Sequence, residues 1–213
     1  MKANLVFGAH PDDEILGPGG TIASLSQQGE KVESILFTRG NRFPPWWDEK
    51  KLEKTREKES KNAAKILGIS KTHFLGFRDA EIIKQVNDAI IEKIVKIIRK
   101  EEPERIFYHS KNDTHPDHVA VSTIVERALE KINPKPKCYS YEISNFVNFF
   151  ERKDPKIFFD VTNTLDEKIA AIRAFQSQKL LMLPLIPIVF ARAVSNGRKS
   201  GFRYAEKFTV TSF

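Results

Sequence analysis

Two short segments of the chain concentrate the residue types that metal-assisted hydrolysis uses. Residues 10–14 read HPDDE and residues 113–118 read DTHPDH, and together they contain three of the five histidines. Imidazole nitrogens and carboxylate oxygens suit zinc, and a catalytic zinc takes three protein ligands and leaves one position open for water. Zinc also lowers the pKa of a bound water from 15.7 to about 7. The two segments therefore predict an open-site metal hydrolase.

The spacing within each segment limits what each side chain can do. Asp12 and Asp13 are consecutive, so their side chains point in different directions, and one can bind a metal while the other acts as a base. His115 and His118 are three residues apart at a predicted helix start, so both can reach one point. Either both histidines bind the metal, or one binds it while the other stabilises developing charge. Acidic residues also cap helices, but capping does not require histidines as well.

Alternating strand-like and helix-like runs must position these segments, and they indicate an α/β protein with a mainly parallel sheet. In the doubly wound strand order 3-2-1-4-5, strands one and four are neighbours, and ligands bind at their carboxyl ends. The HPDDE segment follows the first predicted strand and DTHPDH follows the fourth, so this order would bring them together. The predicted strands are residues 3–7, 32–38, 72–75, 105–109, 137–142, 157–161 and 207–211.

The remaining segments are predicted helices and two irregular loops. The helices are residues 19–28, 48–67, 87–100, 116–132 and 165–178, with Gly29 and Gly68 closing the first two. Residues 40–47 and 182–201 contain two prolines each and fit no regular element. Long irregular loops in a compact domain tend to be functional, so we expect both to form walls of the site. The length of 213 residues predicts one Rossmann-like three-layer domain, residues 1–213.

Composition and charge exclude several classes of protein. Lys and Arg outnumber Asp and Glu, 35 to 28, but the charges at residues 49–65 alternate in sign, as on a solvated helix face and unlike a nucleic-acid groove. The single cysteine, Cys138, cannot form an internal disulfide, which favours a cytoplasmic location. The apolar run at residues 180–191 contains Pro184 and Pro187 and falls short of the roughly 20 residues of a membrane span. We expect no transmembrane helix and no signal peptide.

The segments AHPDDE at residues 9–14 and HPDH at residues 115–118 resemble the paired motifs of the PIG-L or LmbE-like family of zinc-dependent de-N-acetylases, which act largely on N-acetylglucosaminyl compounds. The resemblance runs nearly end to end, through residues 38–40, Arg56, Glu59, residues 77–79, Ser177, Gln178 and residues 204–208. It implies a Rossmann-like fold, one zinc ion per chain and a substrate that contains N-acetylglucosamine (GlcNAc).

The resemblance also implies a metal site and a base. It makes His10, Asp13 and His118 the zinc ligands. It makes Asp12 the general base that takes a proton from the attacking water. His109 is left out of the metal site and is expected to be a structural histidine, with the alternative that its place at a strand end lets it line the crevice.

Other roles implied by the resemblance concern the substrate and the oxyanion. His115 would stabilise the oxyanion or protonate the leaving amine, and Asp117 would orient His115 or a metal ligand. Arg56 corresponds to a substrate-binding arginine. Some members carry a tyrosine just before the second motif, where this chain has Asp113 and Thr114. Oxyanion stabilisation is therefore expected to depend more on zinc and His115.

The expected reaction is hydrolysis of an N-acetyl group on a GlcNAc-containing sugar, glycoside or conjugate, which gives acetate and a free amine. The expected partner is a small-molecule substrate and not a nucleic acid, and the apolar residues 180–190 suit either a homo-oligomer contact or core. Trp46 and Trp47 suit either packing or a sugar-stacking wall. The alternatives are a metal-dependent esterase or non-sugar amidase with the same zinc and water, and a basic binding module without turnover.

Overall fold

The computed structural model describes residues 2–144 and 154–213. Its strands are β1 (Ala3–Gly8), β2 (Lys31–Thr38), β3 (Lys71–Phe77), β4 (Arg105–His109), β5 (Lys137–Tyr141), β6 (Lys156–Asp160) and β7 (Ala205–Thr211). Within the described residues they form one sheet of order β3-β2-β1-β4-β5-β7-β6. Strands β1 to β5 are parallel, and β7 is antiparallel to both of its neighbours. The predicted α/β class and the 3-2-1-4-5 order are confirmed.

Helices cover both faces of this sheet. In the described part of the chain they are α1 (Asp13–Leu16), α2 (Gly19–Gln27), α3 (Glu49–Leu67), α4 (Asp88–Glu101), α5 (Pro116–Glu130), α6 (Leu165–Arg173) and α7 (Lys179–Ser200), with short 3-10 turns at Ile82–Gln85 and Gln176–Gln178. The predicted helix at residues 165–178 is thus α6 followed by a 3-10 turn. Residues 40–47 contain no helix or strand, as expected.

Local signals set the ends of α3 and α4. The Asp48 carboxylate accepts the Lys51 N–H at 2.9 Å, and the Asn87 side chain accepts the Ile90 N–H at 3.1 Å, so each helix begins with a side-chain cap. Gly68 ends α3 in the left-handed region, at φ 73°. These ends fix the position of α3, the helix that carries Arg56 and Glu59 toward the site.

The sheet separates two apolar cores, as a parallel sheet covered on both faces requires. Leu5 and Phe7 of β1 point to one face, where α4 and α5 pack. Val6 points to the other face, where α2, α3 and α6 pack. The strands nearest the site are therefore buried on both sides, and their carboxyl ends are the part of the sheet that is open to a ligand.

The prediction of an irregular segment at residues 182–201 is wrong, because these residues belong to the 22-residue helix α7. Proline interrupts a helix by removing one hydrogen bond and crowding the preceding turn. Here Pro184 and Pro187 both lie on the exposed face of α7, where water can satisfy the freed carbonyls. On the inner face Met182 is buried and Leu185 and Val189 pack against the second core, and this packing stabilises the helix.

The same helix corrects the expectation about membranes. The helical stretch Gln176–Ser200 is 25 residues long and apolar enough to cross a membrane by length and composition. Of its most apolar window, 17% is buried in the protein, so most of that window is exposed. The sequence analysis predicted that the apolar run is too short to span a membrane, and this prediction is wrong as to length. Length and composition alone are weak evidence for a span, because a helix packed on a protein core passes the same test.

Candidate metal and catalytic site

Two loops meet where the adjacent strands β1 and β4 end. After β1 the chain turns through residues 9–12 into α1, which places Asp13 in its first turn. After β4 the chain passes through residues 110–115 into α5, with Asp117 and His118 in the first turn. The structure places all the predicted site residues in one connected cluster: His10, Asp12, Asp13, Arg56, His115, Asp117 and His118.

The carboxylate of Asp13 lies at the centre of this cluster. Its Oδ2 is 3.5 Å from the Nδ1 of His10, and its Oδ1 is 3.4 Å from the Nε2 of His118. The same Oδ2 accepts the backbone N–H of His10 at 2.8 Å, which orients the carboxylate. Burial alone would raise the pKa of Asp13, but the imidazoles of His118 and His109 hold that pKa well below its usual range. Asp13 is therefore an anion facing several nitrogen donors.

A second carboxylate lies behind each of the two histidines. The Nε2 of His10 is 3.1 Å from Asp117 Oδ2, and the Nδ1 of His118 is 3.1 Å from Asp113 Oδ1. Burial works against a charged imidazole, but the contacts with Asp117 and Asp13 raise the pKa of His10 to about 10. Contacts with Asp13 and Asp113 likewise raise the pKa of His118 to about 9 against its burial. Each histidine thus has one nitrogen toward Asp13 and the other on a buried carboxylate, an arrangement typical of metal-binding histidines.

His115 lies beside both of these histidines and is held differently. It caps α5, because its Nδ1 accepts the backbone N–H of Asp117 at 3.2 Å. Its ring centre is 4.9 Å from that of His10 and 4.6 Å from that of His118. Burial and the neighbouring His10 and His118 lower the pKa of His115. Since Nδ1 is an acceptor, neutral His115 carries its proton on Nε2 and can donate it.

Asp12 is buried and is bound by an arginine from α3. The Nη2 of Arg56 lies 2.6 Å from Asp12 Oδ2 and also donates to the carbonyl of Pro11 at 3.0 Å. Burial raises the pKa of Asp12, and the guanidinium of Arg56 partly offsets that rise. Burial together with the charges of Asp12 and Asp13 raises the pKa of the adjacent Glu14 to about 8. Asp12 therefore differs from Asp13, because its partner is a cation and not a group of imidazoles.

His109 belongs to the cluster, although sequence reasoning left it among the structural histidines. It is fully buried at the end of β4, and its ring stacks on that of His118 with centres 3.9 Å apart. Its Nε2 lies 3.0 Å from Asp13 Oδ2 and accepts the Ala9 N–H at 3.1 Å. Burial, with the nearby His118, lowers the pKa of His109 to about 4. Its position at the end of a strand is the feature for which the sequence analysis allowed His109 to line the crevice.

Within the described residues, two groups of three side chains bring ligand atoms within 4.8 Å of one another: His10, His115 and His118, and Asp13, His109 and His118. In the first group the Nδ1 of His115 already accepts a backbone amide, and in the second the Nε2 of His109 does. The expected set of His10, Asp13 and His118 is neither of these two groups, and it uses histidines whose second nitrogen lies 3.1 Å from a carboxylate oxygen. These donors fit a divalent metal bound by nitrogen and oxygen.

Two residues named in the sequence analysis have clearer roles in the structure. The Asp117 carboxylate contacts the side chain of His10 and accepts the Ala80 N–H, and the Asp117 backbone N–H donates to His115 Nδ1, so Asp117 contacts both a predicted metal ligand and His115. Asp113 lies just before the second motif, in the loop between β4 and α5. Besides its contact with His118, its Oδ2 accepts the Ile143 N–H at 2.9 Å. Asp113 therefore ties the loop after β5 to the site.

The irregular segment 40–47 begins beside the site, because Gly40 lies against the guanidinium of Arg56, and the segment is held at Asn41 and Phe43. The Asn41 side chain accepts the Asp79 N–H at 3.2 Å, and Gln178 donates to the Phe43 carbonyl at 2.6 Å. Trp46 is 71% exposed, and Trp47 is 36% exposed. The two tryptophans are therefore not core residues.

The sequence model of the PIG-L family, described as GlcNAc-PI de-N-acetylase, matches residues 5–129, and the chain belongs to this family of deacetylases. A diacetylchitobiose deacetylase of Thermococcus kodakarensis is 29% identical over 97% of this chain and 82% of its own length. A probable N-acetyl-alpha-D-glucosaminyl L-malate deacetylase 2 of Bacillus cereus is 30% identical over 84% of each chain. The solved N,N'-diacetylchitobiose deacetylase from Pyrococcus horikoshii superposes with a TM-score of 0.82 at 26% identity, covering 99% of this chain and 84% of its own.

A further relative has another activity in its name. A 4-oxalmesaconate hydratase of Pseudomonas putida is 26% identical over 96% of this chain and 85% of its own length. Proteins with this fold therefore include a hydratase as well as deacetylases, and the choice of reaction for this chain has to be argued from its site.

Proposed function

We propose that the protein is a zinc-dependent N-deacetylase that removes the N-acetyl group from a GlcNAc-containing sugar, glycoside or sugar conjugate. The observation that carries the proposal is the arrangement around Asp13, where His10 and His118 each turn one ring nitrogen to Asp13 and the other to a buried carboxylate. Membership of a deacetylase family supports the reaction. The names of the relatives support a GlcNAc-type substrate.

In this proposal His10, Asp13 and His118 hold one divalent ion. Two imidazoles and one carboxylate match the ligand count and types of catalytic zinc sites, which keep a position for water or substrate. Bound there, zinc would polarise the substrate carbonyl and lower the pKa of water. Asp117 and Asp113 hold the two histidines in the orientation that presents one nitrogen to the ion.

Asp12 acts as the general base. It follows the metal-binding histidine by two residues, and Arg56 holds its carboxylate at 2.6 Å, so it is buried beside the ion's ligands without being one of them. From this position Asp12 takes the proton of the attacking water as the new C–O bond forms.

His115 completes the reaction. Its Nε2–H donates a hydrogen bond to the oxygen that gains negative charge, and the proton that Asp12 took from the water passes to the nitrogen, which allows the C–N bond to break. Acetate then carries the oxygen of the water, and the sugar leaves with a free amine. The tautomer that this step needs is the one that the cap of α5 favours, because Nδ1 accepts the Asp117 N–H.

The substrate of the proposal is a small sugar and not a nucleic acid. The charged residues of α3 between Glu49 and Lys65 form mixed ion pairs such as Lys61 with Glu57, 2.6 Å apart, and not a cluster of one sign. A cytoplasmic location is part of the proposal and is supported by the single cysteine, Cys138, which is buried and unpaired. The alternative activities are hydrolysis of an ester or a non-sugar amide, and a hydratase reaction like that of the Pseudomonas putida relative.

The test is release of free amine from N-acetylglucosamine, its disaccharide and GlcNAc conjugates by metal-analysed protein. Wild type and Asp12→Ala are measured in parallel, with Asp88→Ala, an exposed residue of α4, as the matched control. We expect release that requires about one zinc per chain and a loss of about 100-fold or more in Asp12→Ala. Release of acetate from O-acetyl compounds only would contradict the proposal in favour of an esterase. Hydration of an unsaturated acid without amine release would contradict it in favour of a hydratase. Protein that takes up no metal would contradict it altogether.

A further inference from the structure

A buried ion pair holds the turn that connects α1 to α2. Lys168 of α6 is 4% exposed and Glu206 of β7 is 7% exposed, and the Lys168 Nζ lies 2.6 Å from Glu206 Oε1. The carboxylate of Glu206 also accepts the backbone N–H groups of Gly20 at 2.9 Å and of Thr21 at 2.8 Å. These amides belong to the first turn of α2, where they have no partner within the helix. Glu206 therefore satisfies the start of α2 from a distant strand.

The second bond of Lys168 reaches the end of α1. Its Nζ donates to the carbonyl of Gly17 at 2.8 Å, and the N–H of Gly17 donates to the carbonyl of Asp13 at 2.8 Å. Two consecutive hydrogen bonds thus connect the ammonium group to the backbone of the residue at the centre of the site. Helix α1 has only four residues, and a helix this short is not stable by itself. Its position must come from contacts outside it.

The ring of Tyr141 also limits where Gly17 can lie. A Cβ built on Gly17 would be 2.5 Å from Cδ2 of Tyr141, so the backbone of Gly17 packs directly against this ring and only glycine fits there. The Tyr141 hydroxyl donates to the Phe7 carbonyl at 2.7 Å, which holds the ring on β1. Gly17 is therefore held by this packing and by Lys168, and neither contact comes from the two motifs.

We propose that Lys168 is a positioning residue for Asp13, which fixes the Gly17 turn and so keeps the Asp13 carboxylate within reach of the predicted histidine ligands. Glu206 is the counter-ion that keeps the buried ammonium in place. The inference rests on the proposed function, in which Asp13 binds the metal. Glu206 belongs to residues 204–208, one of the segments that carry the family resemblance, and the inference gives that segment a role in the site.

Zinc affinity is the first test. Lys168→Met keeps an unbranched side chain of similar length and removes the donor to Gly17. Because it leaves Glu206 buried without its cation, it is measured beside the double variant Lys168→Met/Glu206→Gln, which removes both charges. We expect both variants to bind zinc about tenfold more weakly than wild type in competition with a chromophoric chelator. Zinc affinity equal to that of wild type in the double variant would overturn the proposal.

The control variant Arg105→Gln separates positioning from general stability. Arg105 also belongs to a largely buried ion pair, 2.7 Å from Glu30, but it lies at the start of β4, at the end of the sheet away from the site. We expect Arg105→Gln to unfold at a lower urea concentration than wild type and to keep zinc affinity within about twofold. An equal loss of zinc affinity in Arg105→Gln and Lys168→Met would show that both act through stability, which would overturn the proposal.

Hydrogen exchange in the metal-free protein tests the same contact without metal or turnover. The Gly17 N–H should exchange about tenfold faster in Lys168→Met than in wild type, because the turn that holds its bond to Asp13 is loosened. In Arg105→Gln the Gly17 rate should stay close to that of wild type. Unchanged exchange in Lys168→Met would contradict the positioning role.

The two measurements also keep this inference apart from the proposed function. If wild type binds zinc but releases no amine from any substrate, the proposed reaction fails, and the zinc affinities still decide the role of Lys168. If wild type binds no zinc, the proposed metal site fails, and the exchange of the Gly17 N–H still decides whether Lys168 positions Asp13.

Discussion

Both oxygens of the Glu59 carboxylate bind Ser177, Oε1 through the backbone N–H at 2.7 Å and Oε2 through the hydroxyl at 2.6 Å. Glu59 follows Arg56 by three residues on α3, so the two side chains leave the helix on neighbouring positions of one face. Arg56 binds the loop that carries Asp12, and Glu59 binds the turn that precedes α7. Gln178 of the same turn also donates to the Phe43 carbonyl of the irregular segment 40–47.

Replacing Glu59 should therefore destabilise the protein. Glu59→Ala leaves the Ser177 N–H and hydroxyl without their acceptor, which we expect to lower the free energy of unfolding by about 2 kcal/mol. Urea unfolding followed by circular dichroism measures the change. Glu57→Ala is the control, because Glu57 forms only partly exposed pairs with Arg39 and Lys61, and exposed pairs contribute about 1 kcal/mol or less. Equal effects of the two substitutions would contradict the role of Ser177.

Removing a carboxylate behind a predicted ligand should weaken metal binding. Asp113→Asn and Asp117→Asn keep the size of the side chain but remove the charge beside His118 and His10. We expect each to lower zinc affinity by about 10-fold to 100-fold. Competition with a chromophoric chelator measures the affinity, and Asp88→Asn on the exposed start of α4 is the control. Unchanged affinity in both variants would argue against His10 and His118 as ligands.

The two histidines at the start of α5 should differ in what they do. His118→Ala should lose the metal, whereas His115→Ala should keep about one ion per chain and lose about 100-fold or more in kcat, as the loss of a donor to the oxyanion does. Metal content is measured by elemental analysis after dialysis, alongside amine release. If His115→Ala also loses its metal, both histidines are ligands, which is the other arrangement that their spacing permits.

Stability should depend on pH through Glu33, at the end of the sheet away from the site. Burial would raise the pKa of Glu33, but Lys31 at 2.7 Å and His73 at 2.9 Å more than offset this and lower it below the ordinary 4.5. The folded state therefore binds its proton less readily than the unfolded chain. The contribution is present above pH 4.5 and is lost as the pH falls through the lower folded pKa.

The variant Glu33→Gln tests this dependence. At pH 7 it should be less stable than wild type by about 1 kcal/mol, a value typical of hydrogen bonds to a charged group that is partly exposed to solvent. The difference should narrow as the pH falls below 4.5. Thermal unfolding at several pH values measures it, with Glu49→Gln as the control, since Glu49 pairs with Arg78 on the surface. A difference that stays constant with pH would show that Glu33 does not contribute through its charge.

The strand order and the cluster at β1 and β4 could be predicted because they follow from general rules. Hydrophobic runs give the strands, and right-handed crossovers give the order that makes β1 and β4 neighbours. The two prolines led to the prediction of a loop instead of helix α7, because proline usually interrupts a helix. The exposure of Pro184 and Pro187 to solvent, which makes them tolerable, depends on the folded structure. The apolar residues Met182, Val189 and Ala193, at helical spacing, were the opposing signal.

The contacts within the site depend on which way side chains face after folding. His109 was separated from the metal site because it lies outside both motifs, yet its ring stacks on His118. Arg56 was matched to a substrate-binding position, and its bond to Asp12 exists only because α3 packs beside the loop after β1. Residue types and their spacing thus indicated the chemistry. The contact partner of each charged side chain could be identified only from the three-dimensional structure.

The sequence separation of the two motifs has a mechanical consequence. His10 follows β1 and His118 lies in the helix that follows the neighbouring strand β4, but the two are about a hundred residues apart along the chain, and a bond that closes so long a loop removes much of the freedom of the unfolded chain. An ion held by both histidines would act as a removable cross-link between the first and fourth strands. Chelation should then lower the melting temperature of the whole domain and not only disorder the site, because β1 and β4 are the central strands of the sheet.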